Sequence, residues 1–284
     1  MRRCALAASL VALTALTGAV PARASVTIGQ IPPTTSSCAA SFDYAQPTVI
    51  AGNTYVVPST GGITAWTVTS WSTQANANGG LLAMKMYRPL GGATYQVVGH
   101  EGPHLLMPSA LNSFTASVPV KAGDVHGNST PPAANLPACA SNIISGETFQ
   151  RRSGNLADGG SGDFMPFTSF RLNITAVLVP SNTFTLGAVR RNRKKGTATL
   201  TVDVPNPGEL VLAGNGLRTA DAGAVTAKTV TAAGNVALTV RAKGRKRRKL
   251  NQTGKVKVSP SITYTPATGD SATQSTKLKL RKKR

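Results

Sequence analysis

Beyond residue 24 the chain rarely repeats apolar residues at helical spacing. It carries short alternating or β-branched runs separated by clusters of Gly, Pro, Asn and Ser, the pattern of half-buried strands joined by turns. The alternation is cleanest in the last hundred residues. Ala198, Leu200, Val202 and Val204 share one parity, and Thr199, Thr201 and Asp203 take the other. Val236, Leu238 and Val240 repeat the pattern, as do Val256, Val258, Ile262 and Tyr264, and Leu278 and Leu280. Lys255, Lys257, Lys277 and Lys279 fall on the opposite parity. One buried and one solvated face per strand is what a two-layer sandwich requires. Strands are predicted near 184–189, 197–204, 209–213, 226–231, 236–242, 255–265 and 274–281. Residues 243–254 have no apolar period and are expected to form a basic loop or a single helical turn.

The earlier part is less regular. Strands are predicted at 48–51, 54–58, 63–72, 81–88, 95–100, 114–120 and 169–179, with a Gly, Ser and Pro-rich interruption from 128 to 162. The fold class is therefore all-β, with two β-sandwich domains. The run Thr197 to Val204, the run Asn235 to Arg241, and Thr253-Gly254-Lys255-Val256-Lys257-Val258 continuing to Tyr264 resemble the immunoglobulin-like or fibronectin type III-like modules that close many secreted bacterial proteins. The resemblance covers about 100 residues and implies an adhesive or spacer role with no catalytic residues. The paired cysteines and core tryptophan of antibody domains are missing, so nothing of antigen-style recognition is implied. In the first domain, Val118-Pro119-Val120-Lys121-Ala122-Gly123-Asp124 resembles a strand and tight turn of jelly-roll sandwiches.

The first 24 residues change the picture of where the chain works. Arg2 and Arg3, the apolar stretch Ala5 to Val20, and Ala22-Arg23-Ala24 read as a secretory signal peptide cleaved before Ser25. No other segment is apolar for long enough to span a bilayer. Cys4 leaves with this peptide, and the remaining Cys38 and Cys139 are expected to form one disulfide in an oxidising compartment.

Charge divides the remaining chain. Residues 25–181 hold six Lys or Arg against six Asp or Glu, and residues 182–284 hold twenty-two against four. With twelve of the fourteen aromatics in the first part, the break sets the expected organisation: signal peptide 1–24, a jelly-roll-like sandwich 25–181 and a basic immunoglobulin-like sandwich 182–284.

Candidate chemistry is sparse. His100-Glu101-Gly102-Pro103-His104 matches the spacing of zinc peptidases, but that chemistry needs a helix to bring both imidazoles to one metal face. Gly102 and Pro103 oppose a helix between the ligands, so a chance match in a loop is expected and no metal is assigned. Asn155, Asp158 and Asp163 surround a Gly-rich run and would suit a hard cation, although they lack the EF-hand spacing and such loops are commonly just solvated. Trp66 and Trp71, five apart on a predicted strand, are expected on opposite faces, one in the core and one as a candidate sugar-stacking contact. No nucleophile motif is present, and no cofactor is expected.

The strongest chemical feature is three basic clusters. Arg190, Arg191, Arg193, Lys194 and Lys195 form the first; Arg245, Lys246, Arg247, Arg248 and Lys249 the second; Arg281, Lys282, Lys283 and Arg284 the third. Dense positive charge suits anionic cell-envelope polymers or acidic polysaccharide, while lysines also protect sheet edges. Specific nucleic-acid binding is not expected, since stacking aromatics are absent from this part. The leading expectation is a secreted, non-catalytic binding or structural protein, extracellular or loosely associated with the cell wall. Its basic sandwich holds an anionic surface and its first sandwich takes a glycan. The alternative is a secreted hydrolase targeted by the basic domain, for which Glu101, His100 and Asp124 would have to share a pocket.

Overall fold

The structure is a computed structural model that describes residues 25–33, 35–133, 135–141, 146–218 and 226–283; the expected signal peptide lies outside them. The architecture is all-β, with one short helix.

Eight strands frame the first part: β1 (Val26–Gln30), β2 (Phe42–Ala45), β3 (Ala65–Gln74), β4 (Leu81–Gly91), β5 (Thr94–Leu105), β6 (Leu111–Lys121), β7 (Val125–Thr130) and β8 (Ile174–Pro180). All pairing is antiparallel and nested: β4 with β5, β3 with β6, β2 with β7 and β1 with β8. The chain is thus one long ribbon folded over on itself, the double Greek key of a jelly roll. One sheet has the order β1-β8-β3-β6. The other has the order β5-β4-β7-β2, extended at one edge by Ser161–Asp163 and at the other by Thr148–Ser153 and Met165–Thr168.

Between the sheets lies a core that includes Ile28, Tyr44, Trp66, Val68, Trp71, Leu82, Met84, Met86 and Leu178. β4 is buried on both faces from Leu82 to Tyr87. Tyr87 belongs to a second apolar cluster with Tyr95, Val97, Val125 and Phe164. Beside it the buried Lys85 donates to Asp43 Oδ1 and to the Leu156 carbonyl, each at 2.7 Å.

At one end a small sheet of Ser36–Ser37, Ala138–Ser141 and Arg171–Leu172 is tied by the Cys38–Cys139 disulfide. There Glu147, 1 % exposed, receives two bonds from the Arg171 guanidinium, one of 2.6 Å at Nε, and a third from the Ile50 amide at 3.1 Å. Removing one member of such a pair strands a buried charge, which costs about 3–5 kcal/mol. Glu147→Leu is therefore expected to lose that amount in urea unfolding followed by tryptophan fluorescence. Adding Arg171→Leu should recover most of it, because two apolar residues leave no charge unpaired.

The second part builds two sheets around its own core. β9 (Thr185–Asn192), β10 (Thr197–Val204) and β13 (Gly234–Val240) form one, in the order β9-β10-β13; β11 (Gly208–Ala213), β12 (Thr226–Val230), β15 (Ser261–Pro266) and β16 (Ala272–Ser275) form the other, in the order β12-β11-β15-β16. A two-stranded ribbon of β14 (Lys255–Val258) and β17 (Leu278–Arg281) completes it. The apolar parity read from the sequence is the core here: Ala198, Leu200, Val202, Val204, Val236, Leu238, Val240, Val256, Val258, Ile262, Tyr264, Leu278 and Leu280 are all buried together. The predicted single strand 255–265 is broken at Ser259-Pro260, and its two halves pair with different partners.

Residues 243–254 depart from expectation. Gly244–Thr253 is a ten-residue helix, α1, closed by Gly254 in the left-handed conformation at φ 65°, its amide bonded to the Leu250 carbonyl. Arg, Lys, Leu and Gln are good helix formers, and Leu250, the buried residue of α1, docks the helix on the core.

The two parts meet at the predicted turn Pro205 to Gly208. Asn206 is fully buried there. Its Oδ1 accepts from the Thr64 and Ala65 amides at 3.0 Å, its Nδ2 donates to the Ala65 and Ser181 carbonyls, and its own carbonyl accepts from the Tyr264 hydroxyl at 2.7 Å. Every bonding position of the Asn206 side-chain amide is thereby used.

Candidate anion-binding site

The three basic clusters, far apart in sequence, are assembled at the end of the second sandwich remote from Asn206. The β9–β10 turn carries Arg193, Lys194 and Lys195. The amide of Lys283 donates to the Arg193 carbonyl, and that of Lys282 to Gly254, at the C-terminal end of α1. The amide of Arg218 donates to the Arg241 carbonyl, and that of Lys243 to Gly216. Backbone bonds thus stitch the turn, the helix, the Arg218 segment and the last strand into one basic pole. Arg191 lies on β9, where its Nε donates to the Lys279 carbonyl at 3.1 Å. Arg284 lies outside the described residues.

Two cavities flank α1. One, of about 300 Å³, is lined by Lys195, Arg218, Arg241, Arg247, Asn251 and Lys282 with Leu250 beneath. The other, of about 270 Å³, is lined by Lys246, Lys249, Lys255, Lys257 and Lys279. Among the described residues no carboxylate lines either. The described acidic residues of this part, Asp203, Glu209 and Asp270, sit toward the junction: Asp203 pairs with Thr185 and Asn235 at the far end of β10, Glu209 is the second residue of β11, and the Asp270 carbonyl accepts from Asn182. Six residues of strand separate Thr197 from Asp203, roughly 20 Å at 3.3 Å each. That exceeds the screening length of about 8 Å at physiological salt, so these carboxylates do little to neutralise the pole.

In the first sandwich the predicted site residues do not come together. His100 to His104 lies on the strand β5 and not in the expected loop, and the two imidazoles are engaged separately. His104 Nε2 bonds Glu101 Oε1 at 2.7 Å, and its ring stacks on Phe114 at 4.1 Å. Glu101 Oε2 accepts from Trp71 Nε1 at 2.5 Å. His100 bonds Asp158 at 2.7 Å beside Lys85 and Leu156. Asp124 is held by both nitrogens of an Arg88 fork at 2.9 Å. Glu101, His100 and Asp124 share no pocket. Asn155, Asp158 and Asp163 also part company, bonding Thr130, His100 and Thr94 respectively.

The expectation for the tryptophans is corrected. Trp66 and Trp71 are 2 % and 1 % exposed and share the same core. Opposite Val177 and Leu178 of β8, a bulge between Val68 and Ser70 inserts one residue into β3 and shifts the parity, so five residues bring a side chain back to the same face. Neither ring is an exposed sugar platform. A cleft that sequence reading missed lies at the junction, about 510 Å³, lined by Arg88, Gln96, Lys121 and Thr183. Its walls come from separate strands and the linker, and no local pattern marks it.

No family model matches the chain, and no curated protein matches it. Among solved structures, the crystal structure of a GH2 β-galacturonidase from Eisenbergiella tayi bound to galacturonate aligns with 9 % identity and a TM-score of 0.21, covering 90 % of this chain and 44 % of that one. The chain spans less than half the length of that protein, and so loose a superposition carries no argument.

Proposed function

We propose that the protein is a non-catalytic extracellular binding protein whose basic pole attaches to an anionic polymer of the cell envelope. The observation that carries this reading is the convergence of clusters from residues 190–195, 241–249 and 281–283 at the pole that holds the cavities beside α1, with the described carboxylates of this part at the opposite end. Edge protection needs lysines spread along unpaired strands; a pole with two cation-lined cavities goes beyond that. Strand orders of three facing four support a likeness to immunoglobulin or fibronectin type III modules. The disulfide fits an oxidising compartment. Among the described residues no helix is long and apolar enough to cross a membrane. The jelly roll is held away from the attached surface by the Asn206 junction, and the junction cleft is its candidate ligand site.

The test is co-sedimentation with purified cell envelope across a salt series. The chain from Ser25 onward should pellet at low salt and be released steeply as salt rises, as counterion release from a polyanion requires. Replacing Arg245, Lys246, Arg247, Arg248 and Lys249 by Gln should abolish pelleting. Equal, salt-independent pelleting of both proteins would refute the reading.

A further inference from the structure

Resting on that reading, we propose that the cavity between α1 and the β9–β10 turn is a site for one phosphate group, and that the polymer held at the pole is a phosphodiester-linked polyol or glycan. The cavity receives Lys195 from the turn, Arg241 from the end of β13, Arg247 from the helix and Lys282 from the last strand. A carboxylate is planar, and one guanidinium fork satisfies both its oxygens. Four segments thus each contribute a cation to the lining of one cavity, more directions of approach than a planar anion can use. A tetrahedral anion presents oxygen in all those directions.

The wall chemistry agrees. Arg241 and Arg247 supply rigid forks, and Lys195 and Lys282 supply point charges. Lys282 Nζ donates to Asn251 Oδ1 at 2.8 Å, which orients it. Leu250 forms an apolar floor that is 4 % exposed. None of Lys195, Arg241, Arg247 and Lys282 has a carboxylate partner among the described residues. A volume of about 300 Å³ holds a phosphate together with part of the unit that bears it.

The helix beside the cavity gives an independent reason. Five of its ten residues are Lys or Arg and none is acidic. Arg245 and Lys249 are four apart and Lys246 and Lys249 three apart, like-charge spacings that each cost a few tenths of a kcal/mol. A helix charged this way is relieved by an anion. The second cavity, lined by five lysines and Val256 with no guanidinium, suits the next charge along a chain and not a fixed group.

The test uses the chain from Ser25 onward and its double variants Arg241→Gln/Arg247→Gln, in the cavity, and Lys228→Gln/Lys277→Gln, exposed and outside the three basic clusters with the same loss of charge. Binding of a poly(glycerol phosphate) and of polygalacturonate is measured by calorimetry at about 0.15 M salt, the ionic strength at which distant charges are screened. The unaltered protein should prefer the phosphate polymer, and the cavity variant should lose at least about tenfold in affinity and the preference itself. The control variant should lose no more than about threefold, as for partly screened surface charge. Equal losses in both variants, or no preference in the unaltered protein, would overturn the phosphate site while leaving the anionic attachment standing. Failure to bind either polymer at low salt would overturn both. Binding to phosphatidylglycerol vesicles with the soluble polymer left free would assign the phosphate to a lipid headgroup and overturn the polymer assignment.

Discussion

Loss of the Cys38–Cys139 bridge is expected to destabilise the first sandwich by about 4 to 5 kcal/mol in the chain-entropy account of a loop near 100 residues; the two cysteines are 101 residues apart. A small domain has only about 5–15 kcal/mol in total, so the reduced form should be marginal. The bridge joins the Ser36–Ser37 strand to Ala138–Ser141, whose ladder is too short to hold without it. Both tryptophans lie in the first core, so their fluorescence reports this sandwich alone. Urea unfolding of the Cys38→Ala/Cys139→Ala variant should show its tryptophan midpoint lowered by roughly 2 M, given a usual slope near 2 kcal/mol per M. An unchanged midpoint would show that the bridge contributes nothing. The second sandwich contains no cysteine in its core and should keep its own transition.

Acid should undo the same sandwich through His126. Its imidazole is fully buried against Tyr55, the rings 6.3 Å apart, and neither ring nitrogen has a hydrogen-bond partner. Burial without a partner disfavours the charged ring and pushes its pKa down to about 3 from 6.5. The sign follows from proton uptake. Below pH 6.5 the unfolded chain binds a proton that the folded chain refuses, so stability falls as pH drops and levels off near pH 3. At about 1.4 kcal/mol per unit this comes to roughly 5 kcal/mol between pH 7 and 3. Above pH 6.5 the residue makes no difference. Urea midpoints measured at pH 7, 5 and 4 should fall much less for His126→Leu than for the unaltered protein, because Leu has nothing to protonate. Groups common to both proteins cancel in the comparison. Parallel declines would remove His126 as the cause.

Legibility varied along the chain for reasons visible in particular residues. In β10, β13 and β15 one face meets apolar neighbours and the other meets water, so parity alone marks both strand and core. β7 reads Val-His-Gly-Asn-Ser-Thr and is buried at every position. Asn128 and Thr130 are kept inside by the bonds of Asn128 Nδ2 to the Cys139 carbonyl and of Thr130 Oγ1 to the Ala39 carbonyl, which no local pattern announces. The stretch 128–162, read as an interruption, holds edge strands of the larger sheet for the same reason. Residues 48–51 and 54–58 have β-branched composition yet belong to no strand; among them only Val56 makes an isolated bridge, to Val125.

The amino-acid sequence by itself determined the all-β class, the faces of the second core, the cysteine pair and the uneven charge. Each is carried by residue identity at short range, or by a count that folding does not alter. The tertiary structure alone decided that three separated basic runs share one pole, that a bulge returns Trp71 to the core beside Trp66, and that the histidine motif is divided between different partners. These depend on which strands pair and in what register, and pairing between residues a hundred positions apart leaves no periodic trace along the chain.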